Sequence, residues 1–226
     1  GRRLDPSWNN LQRLARLRAY MYEELGFKGD VQGYYSPENS LLHSVMSRRL
    51  GIPLTLSIVF MEIGWRVGVP FEGVGFPGHF LVRHCGRPSM PGVLIDPFNR
   101  GQILTEQECA RLLEEMYGGK MAFRPELLKR ARNREILQRM LHNLKWIYHR
   151  QRDFHMALRI QQLLLCIAPD RPEEIRDRGM IHFRLALFTQ AADDLERYLK
   201  LSPQAPDAIQ MRARLKEMNR LVPGRN

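Results

Sequence analysis

The pattern of apolar and polar positions along the chain changes near residue 138. Beyond it, apolar residues recur at the spacing of a helix face, and two segments match each other at an offset of 34 residues. The matched pairs are Phe154 with Phe188, Ala157 with Ala191, Leu165 with Leu199, Ile167 with Leu201, Pro169 with Pro203, and Pro172 with Pro206. Self-similarity at this period predicts a repeated pair of helices.

This repeat resembles the tetratricopeptide repeat, a helix-turn-helix unit with a small residue where its helices cross. Gly179 takes the close-packing position of the second repeat, where the first repeat has Lys145. An amphipathic helix over residues 208–222 is predicted to cap the array. The resemblance implies a groove that binds a protein or peptide. The candidate groove residues are Lys145, Tyr148, Arg152 and His182.

The chain before the repeats is predicted to mix helices and short strands. Helices are expected at residues 5–25, 36–50, 54–67 and 107–117, each followed by glycine. Short apolar runs between Gly and Pro predict strands at residues 71–76, 80–85 and 93–96. The fold class is therefore α+β, with a small antiparallel sheet, followed by an all-α segment. The expected divisions are residues 1–119, a basic helical connector at 120–137, and two repeats with a capping helix at 138–226.

The second and third predicted strands bring a histidine near a carboxylate. The turn-rich residues 86–92 join these strands, which predicts a hairpin. Symmetric folding places Val82 opposite Val93 and His79 opposite Asp96, with Cβ atoms ~4.5 to 5.5 Å apart. A carboxylate beside an imidazole fixes its tautomer and supports the imidazolium, as nucleophilic catalysis requires. A polar pair at the end of the sheet is the structural alternative.

The motifs around this pair resemble those of the transglutaminase-like superfamily, whose enzymes use a Cys-His-Asp triad on a papain-like fold. These motifs are Tyr34-Tyr35, Asn39-Ser40, the run from Arg48 to Pro53, the run from Gly73 to Arg83, and the run from Ile95 to Asn99. Together with the repeats, they are similar to the bacterial SirB family, in which a transglutaminase-like domain precedes tetratricopeptide repeats.

The sequence departs from the triad at the nucleophile. The resemblance implies a cysteine at the start of the third predicted helix, where this chain has Pro53, Thr55 and Ser57. Ser40, at the preceding helix start, is another position that offers a hydroxyl. Thr55, Ser57 and Ser40 are therefore the candidate nucleophiles, although a hydroxyl lacks the low-pKa thiolate on which the cysteine mechanism depends.

The three cysteines are not expected to replace the missing nucleophile. Cys85 lies six residues from His79, roughly 20 Å along a strand, and Cys109 and Cys166 are predicted in helices outside the motifs. Their spacing fits neither a disulfide framework nor a zinc site, which favours a reducing cytosol. No metal or cofactor is predicted, because the histidines form no H-E-x-x-H motif and no helix is expected after the G-x-G-x-x-G match at residues 73–78.

Composition adds a strong basic bias. The 226 residues include 35 Lys and Arg against 24 Asp and Glu, a net charge of +11, and their 44% hydrophobic content excludes disorder as the main state. Residues 120–159 hold eleven Lys and Arg against three acids, a net charge of +8. This basic stripe predicts an acidic partner or nucleic acid, unless it is a solvated helical face. No stretch reaches the ~18 to 20 apolar residues of a membrane span.

We interpret the start at Gly1, without Met or a recognisable leader pattern, as a boundary of the sequence. The favoured hypothesis is a non-catalytic, cytoplasmic transglutaminase-like protein that binds a protein or peptide through its repeats. The second is an acyl transferase or hydrolase with a Ser or Thr nucleophile, His79 as base and Asp96 as its orienting group. The third is nucleic-acid binding through residues 120–159.

Overall fold

An α+β region precedes an all-α region in the computed structural model, which describes residues 5, 7–85 and 92–221. The chain divides into two compact units, residues 1–136 and 137–226. The sheets lie in the first unit, and every regular element among the described residues of the second is a helix. The predicted fold class is therefore confirmed.

The first helix, α1 (Asn10–Ala19), begins later than the pattern predicted. Asn9 caps it, because its side chain accepts a hydrogen bond from the backbone of Gln12, whose own side chain bonds back to Asn9. The predicted start at Asp5 is wrong, since that carboxylate bonds Ser7 instead. A π-helical turn (Tyr20–Glu24) follows and widens the last turn, and both Met21 and Tyr22 are buried there.

The second predicted helix is broken in the structure. A 3-10 turn (Pro37–Asn39) precedes the shorter helix α2 (Leu42–Arg48), which ends where Arg49 adopts a left-handed conformation. Strand β2 (Leu50–Gly51) then pairs in parallel with strand β1 (Lys28–Gly29). Two-residue strands have too few residues to show a period, so the sequence pattern did not reveal them.

Helix α3 (Pro53–Arg66) lies within a residue of its predicted bounds and packs against the main sheet. That sheet contains four antiparallel strands in chain order, of which β6 was not predicted. They are β3 (Phe71–Val74), β4 (Leu81–His84), β5 (Val93–Asp96) and β6 (Gln102–Leu104).

The predicted hairpin register is wrong by two residues. Val82 lies opposite Ile95, not Val93, and the turn assumed to set the register falls partly within residues 86–91, outside the described residues. A shift by two leaves every side chain on its predicted face, because side chains alternate with a period of two. The predicted core face of the hairpin therefore stands, although the partners across it change.

Helix α4 (Glu106–Tyr117) covers one face of the sheet with a buried cluster that includes Val74, Leu81 and Leu113. After it, the segment expected to be a helical connector has a 3-10 turn (Pro125–Leu128) and contacts strand β3 through a bridge between Arg130 and Val74. The next helix starts at Asn133.

The second unit consists of stacked antiparallel helix pairs and a capping helix. These are α5 (Asn133–Arg150, whose first turn precedes the unit), α6 (Phe154–Ile167), α7 (Pro172–Arg184), α8 (Phe188–Leu201) and α9 (Ala208–Leu221). Ala157 and Ala191, which matched at the repeat period, are both fully buried. A Cβ atom at Gly179 would lie 3.1 Å from the Asp194 Cβ atom, so this glycine permits close helix contact. The predicted cap packs Met211 and Met218 against the core, and Val222 lies outside the described residues.

A buried carboxylate links the two repeats. Glu174 accepts hydrogen bonds from Lys145 at 2.9 Å and Gln161 at 2.9 Å, and it lies 2.7 Å from the Nε2 atom of His142. Burial of the Glu174 carboxylate opposes its ionisation, but the bonds from these three side chains lower its pKa well below the ordinary value of 4.5. The ionised form is therefore the one that the folded repeats hold.

We expect the substitution Glu174→Gln to lower the free energy of unfolding of the second unit by about 1.5 to 3 kcal/mol at neutral pH, because charge-assisted hydrogen bonds are lost. Because folding depresses this pKa, the stabilisation is present above pH 4.5 and disappears as the pH falls below it. The difference between wild type and variant should therefore shrink toward acid pH.

Urea unfolding with hydrogen exchange resolved to the helices of the second unit measures this difference. Glu217→Gln is the matched control, because Glu217 forms an exposed pair with Arg214. An equal loss in both variants, or a Glu174→Gln effect independent of pH, would contradict the assignment.

Candidate functional site

A tight turn at the end of strand β5 is built around the Asp96 carboxylate. Its Oδ1 atom accepts the backbone N–H groups of Phe98 at 3.0 Å and Asn99 at 3.3 Å, and its Oδ2 atom accepts the Asn99 side-chain amide at 2.8 Å. The Gly101 N–H group donates to the Asp96 carbonyl at 2.8 Å. This side-chain-to-backbone bonding explains the Asp-Pro-Phe-Asn sequence, since Pro97 pre-sets one backbone angle of the turn.

His79 approaches Asp96 from the turn that precedes strand β4. Its Nε2 atom lies 2.9 Å from the Oδ2 atom of Asp96, and both residues are buried, with 7% and 1% of their surfaces exposed. His79 is not a strand residue, and its own N–H group donates to the Phe76 carbonyl at 3.1 Å. The side chains predicted to meet across a hairpin therefore meet through two turns at one end of the sheet.

The surroundings of Asp96 favour its ionised form. Burial of Asp96 opposes its ionisation, yet the hydrogen bonds from His79 and Asn99 lower its pKa below the usual value. An ionised carboxylate only accepts hydrogen bonds, so the proton between the two residues belongs to the His79 Nε2 atom. In a neutral His79 the Nδ1 atom is then the acceptor, which is the arrangement a general base requires.

Aromatic packing surrounds His79. The Phe98 ring lies edge-on to the His79 ring, with centroids 6.1 Å apart, and the Tyr34 ring meets Phe98 at the same separation. A Cβ atom at Gly29 would lie 2.6 Å from the Phe98 ring. Strand β1 and the Tyr34 loop thus hold Phe98 in place beside the imidazole.

The hydroxyls of Thr55 and Ser57 are both bonded to backbone carbonyls. Thr55 donates to Asn39 at 2.7 Å and accepts the Ile52 N–H group at 3.1 Å, which ties the start of helix α3 to the preceding segment. Ser57 donates to the Phe80 carbonyl at 3.3 Å and so joins α3 to the residue after His79. These two candidate nucleophiles serve as packing and capping groups.

Ser40 differs from them, because its buried hydroxyl has no hydrogen-bond partner among the described residues. It follows Asn39, whose fully buried side-chain amide donates to Asp30 at 3.0 Å and to the Gly33 carbonyl at 2.7 Å, and accepts from Arg48 at 3.1 Å. None of the three candidate hydroxyls is hydrogen-bonded to His79 within the described part of the chain.

Two features of the first unit were not predicted. The Asn39 network was missed as such, although Asn39 and Arg48 lie in motifs that carried the family resemblance. Tyr22 was also missed: it is buried, and its hydroxyl donates to the Pro97 carbonyl at 2.9 Å. No sequence signal marks Tyr22, because its orientation depends on the π-helical turn.

Two of the three cysteines, Cys85 and Cys109, have environments that disfavour a thiolate. Cys109 is fully buried in helix α4, where burial and then the charges of Glu108 and Asp96 raise its pKa to about 11. Burial followed by Glu72 also raises the pKa of Cys85. Cys166 is exposed on helix α6, in the second unit. None of the three is in a disulfide.

The candidate groove residues have mixed environments. Lys145 bonds Glu174 and Asp177, each at 2.9 Å, and His182 lies 3.0 Å from Asp194, so their polar atoms are already paired within the unit. Tyr148 lies on the buried face of helix α5, whereas Arg152 is exposed.

Within the residues that the structure describes, no cluster of three or more His, Cys, Asp or Glu side chains could hold a metal ion. The same residues include no helix that is long and apolar enough to cross a membrane.

Comparison with known proteins identifies both regions. A family model described as the transglutaminase-like superfamily matches residues 1–142, and one described as the tetratricopeptide repeat matches residues 144–216. A UPF0162 protein of Xylella fastidiosa is 36% identical over 211 residues, which cover 92% of this chain and 74% of the relative. Protein SirB1 of Salmonella typhimurium is 31% identical over 207 residues, which cover 90% and 75%.

A more distant relative shares part of its length. Human F-box only protein 21 is 29% identical over 193 residues, which cover 79% of this chain and 29% of that protein. The two family matches follow one another along the chain, and the Xylella and Salmonella relatives each align over at least 90% of it. The chain therefore belongs to the transglutaminase-like superfamily, as a SirB-family protein whose transglutaminase-like domain is followed by tetratricopeptide repeats.

Proposed function

We propose that this chain is a non-catalytic transglutaminase-like protein, and that it works as an interaction module whose repeats bind a protein or peptide. The observation that carries the proposal is that none of the three candidate hydroxyls is hydrogen-bonded to His79 in the described part of the chain. A general base must lie within ~2.6 to 3.2 Å of the proton it removes. The Thr55 and Ser57 hydroxyls donate to backbone carbonyls instead, and Ser40 makes no hydrogen bond to His79.

The His79–Asp96 pair has a structural role that explains it without catalysis. Asp96 closes its own turn through Phe98 and Asn99, and His79 joins that turn to the segment before strand β4. Removing either partner would leave a buried polar group unsatisfied, which is costly. A pair inherited from a triad can therefore persist as a stabilising contact.

The repeats supply the interaction surface. Tetratricopeptide repeats generally mediate protein–protein interactions, and stacked repeats offer an extended concave surface. Lys145 and Arg178 are neutralised by acids within the unit, whereas exposed Arg152 and Arg159 pair with no carboxylate among the described residues. We therefore assign an acidic segment of the partner protein to the loop between α5 and α6 and to helix α6, where these two arginines lie. We also propose a cytoplasmic location, consistent with the unpaired cysteines.

One observation favours the enzymatic alternative. Ser40 is the candidate nucleophile whose buried hydroxyl has no partner among the described residues, and a rearrangement that brought it to His79 would create a Ser-His-Asp arrangement. An acyl transferase or hydrolase built in this way would depend on both Ser40 and His79.

The two hypotheses predict different behaviour toward acyl esters, amides and a fluorophosphonate probe. We expect that the full chain neither turns over these substrates nor becomes covalently labelled by the probe. The variants Ser40→Ala and His79→Ala should behave in the same way. Turnover or labelling that either substitution abolishes would establish the enzyme. Ser47→Ala, at an exposed position of helix α2, is the control for non-specific labelling.

Binding of a short polyglutamate peptide tests the partner chemistry. We expect the charge reversals Arg152→Glu and Arg159→Glu together to weaken binding about tenfold or more, because two favourable charge contacts become repulsive. The double variant Arg212→Glu and Arg220→Glu on helix α9 is the matched control, since it reverses the charge of two other exposed arginines. Fluorescence anisotropy at several salt concentrations gives the affinities.

Equal weakening by the control would contradict a local acidic-peptide site. Tighter, steeply salt-dependent binding of single- or double-stranded nucleic acid, lost in the double variant of Arg152 and Arg159, would instead support the nucleic-acid hypothesis.

A further inference from the structure

A cavity in the first unit borders the turn that follows strand β5. Its volume is about 220 Å³, and its wall is formed by one side of helix α1, the π-helical turn and Arg100. The lining residues are Ala15, Arg18, Ala19, Tyr22, Glu23 and Arg100.

Two arginines face the cavity without an acidic partner. Neither Arg18 nor Arg100 forms a salt bridge with a described residue, and Glu23 forms none either. The Nε atom of Arg18 donates to the Arg100 carbonyl at 3.3 Å, which orients that guanidinium while its other N–H groups have no acceptor among the described residues. Two like charges beside one cavity repel each other, and a bound anion would relieve this repulsion.

The backbone on both sides of the cavity is irregular. Part of the helical wall is the π-helical turn Tyr20–Glu24, and such turns occur frequently at functional sites. On the opposite side, Arg100 and Gly101 are consecutive residues with φ of 55° and 69°. A non-glycine residue in the left-handed region is strained, and such strain clusters at ligand sites.

Close contact fixes the position of the Arg18 side chain. A Cβ atom at Gly101 would lie 2.9 Å from the Arg18 Cγ atom and 3.0 Å from the Tyr22 ring. Glycine is therefore needed at position 101 for its backbone angle and for the approach of these two side chains. The Tyr22 hydroxyl bonds the Pro97 carbonyl, so the cavity wall connects directly to the Asp96 turn.

We propose that this cavity binds the carboxylate group of a small ligand between Arg18 and Arg100. The planar guanidinium groups match the geometry of a carboxylate, which they can hold through paired hydrogen bonds. With Glu23 also present, the lining carries a net charge of +1, which suits one carboxylate better than a doubly charged phosphate. The volume is below the ~300 to 1,000 Å³ typical of larger ligands, so the ligand is a small acid or the carboxylate end of a peptide.

Titration of the full chain with N-acetylglycine tests the proposal, with N-acetylglycinamide as the uncharged control. We expect saturable binding of the acid, seen as a shift of the Gly101 amide NMR signal, and at least about tenfold weaker binding of the amide. A short peptide with a free carboxyl terminus distinguishes a peptide end from a free acid. Equal binding of acid and amide, or tighter binding of inorganic phosphate, would overturn the carboxylate assignment.

Substitutions locate the site. Arg18→Gln and Arg100→Gln should each weaken binding about tenfold, whereas Glu23→Gln should strengthen it by removing a repulsive charge. Arg66→Gln is the control, because Arg66 is exposed and pairs with Glu62 elsewhere in the same unit. Thermal unfolding measures whether each variant folds. Because Arg100 is exposed, Arg100→Gln tests the site even where Arg18→Gln destabilises the fold. Unchanged affinity in both arginine variants, or weaker binding by Glu23→Gln, would overturn the proposal.

Discussion

The buried carboxylate of Asp96 is the constraint on which the end of the main sheet depends. A buried charge must be surrounded by donors, and the backbone of Phe98 and Asn99, the Asn99 amide and the His79 imidazole provide them. To do so, the chain must turn sharply after strand β5 and bring the segment before β4 alongside. The conformation of two turns therefore follows from satisfying one side chain.

Under the proposed non-catalytic role, the contribution of the His79–Asp96 contact to stability is a sufficient reason for the pair to persist. Catalysis needs His79 to face a nucleophile, whereas stability needs only its bond to Asp96. Thr55 and Ser57 bind carbonyls that fasten helix α3 to its neighbours, so their hydroxyls are already committed to the fold. The His-Asp pair in this SirB-family chain therefore joins two turns at one end of the main sheet and contributes to the stability of the fold.

Ionic contacts dominate the second unit in a similar way. Glu174 and Asp194 are buried and each collects several donors, which join helices from different parts of the array. Burial opposes the ionisation of both carboxylates, and their bonding lowers both pKa values despite it. The charges of Lys145 and Arg178 are therefore neutralised inside the unit, and the positive charge available to a partner depends on exposed residues such as Arg152.

The sequence by itself determined the helix pairs, the strands of the hairpin, and the meeting of a histidine with a carboxylate, because periodicity, glycine, proline and turn residues act locally. Only the tertiary structure decided the hairpin register, the sheet formed by β1 and β2, the π-helical turn that buries Tyr22, and the partners of each hydroxyl. These features depend on contacts between residues distant in the chain. Whether Ser57 meets an imidazole or a carbonyl is set by the packing of α3 against the sheet, which no local pattern encodes.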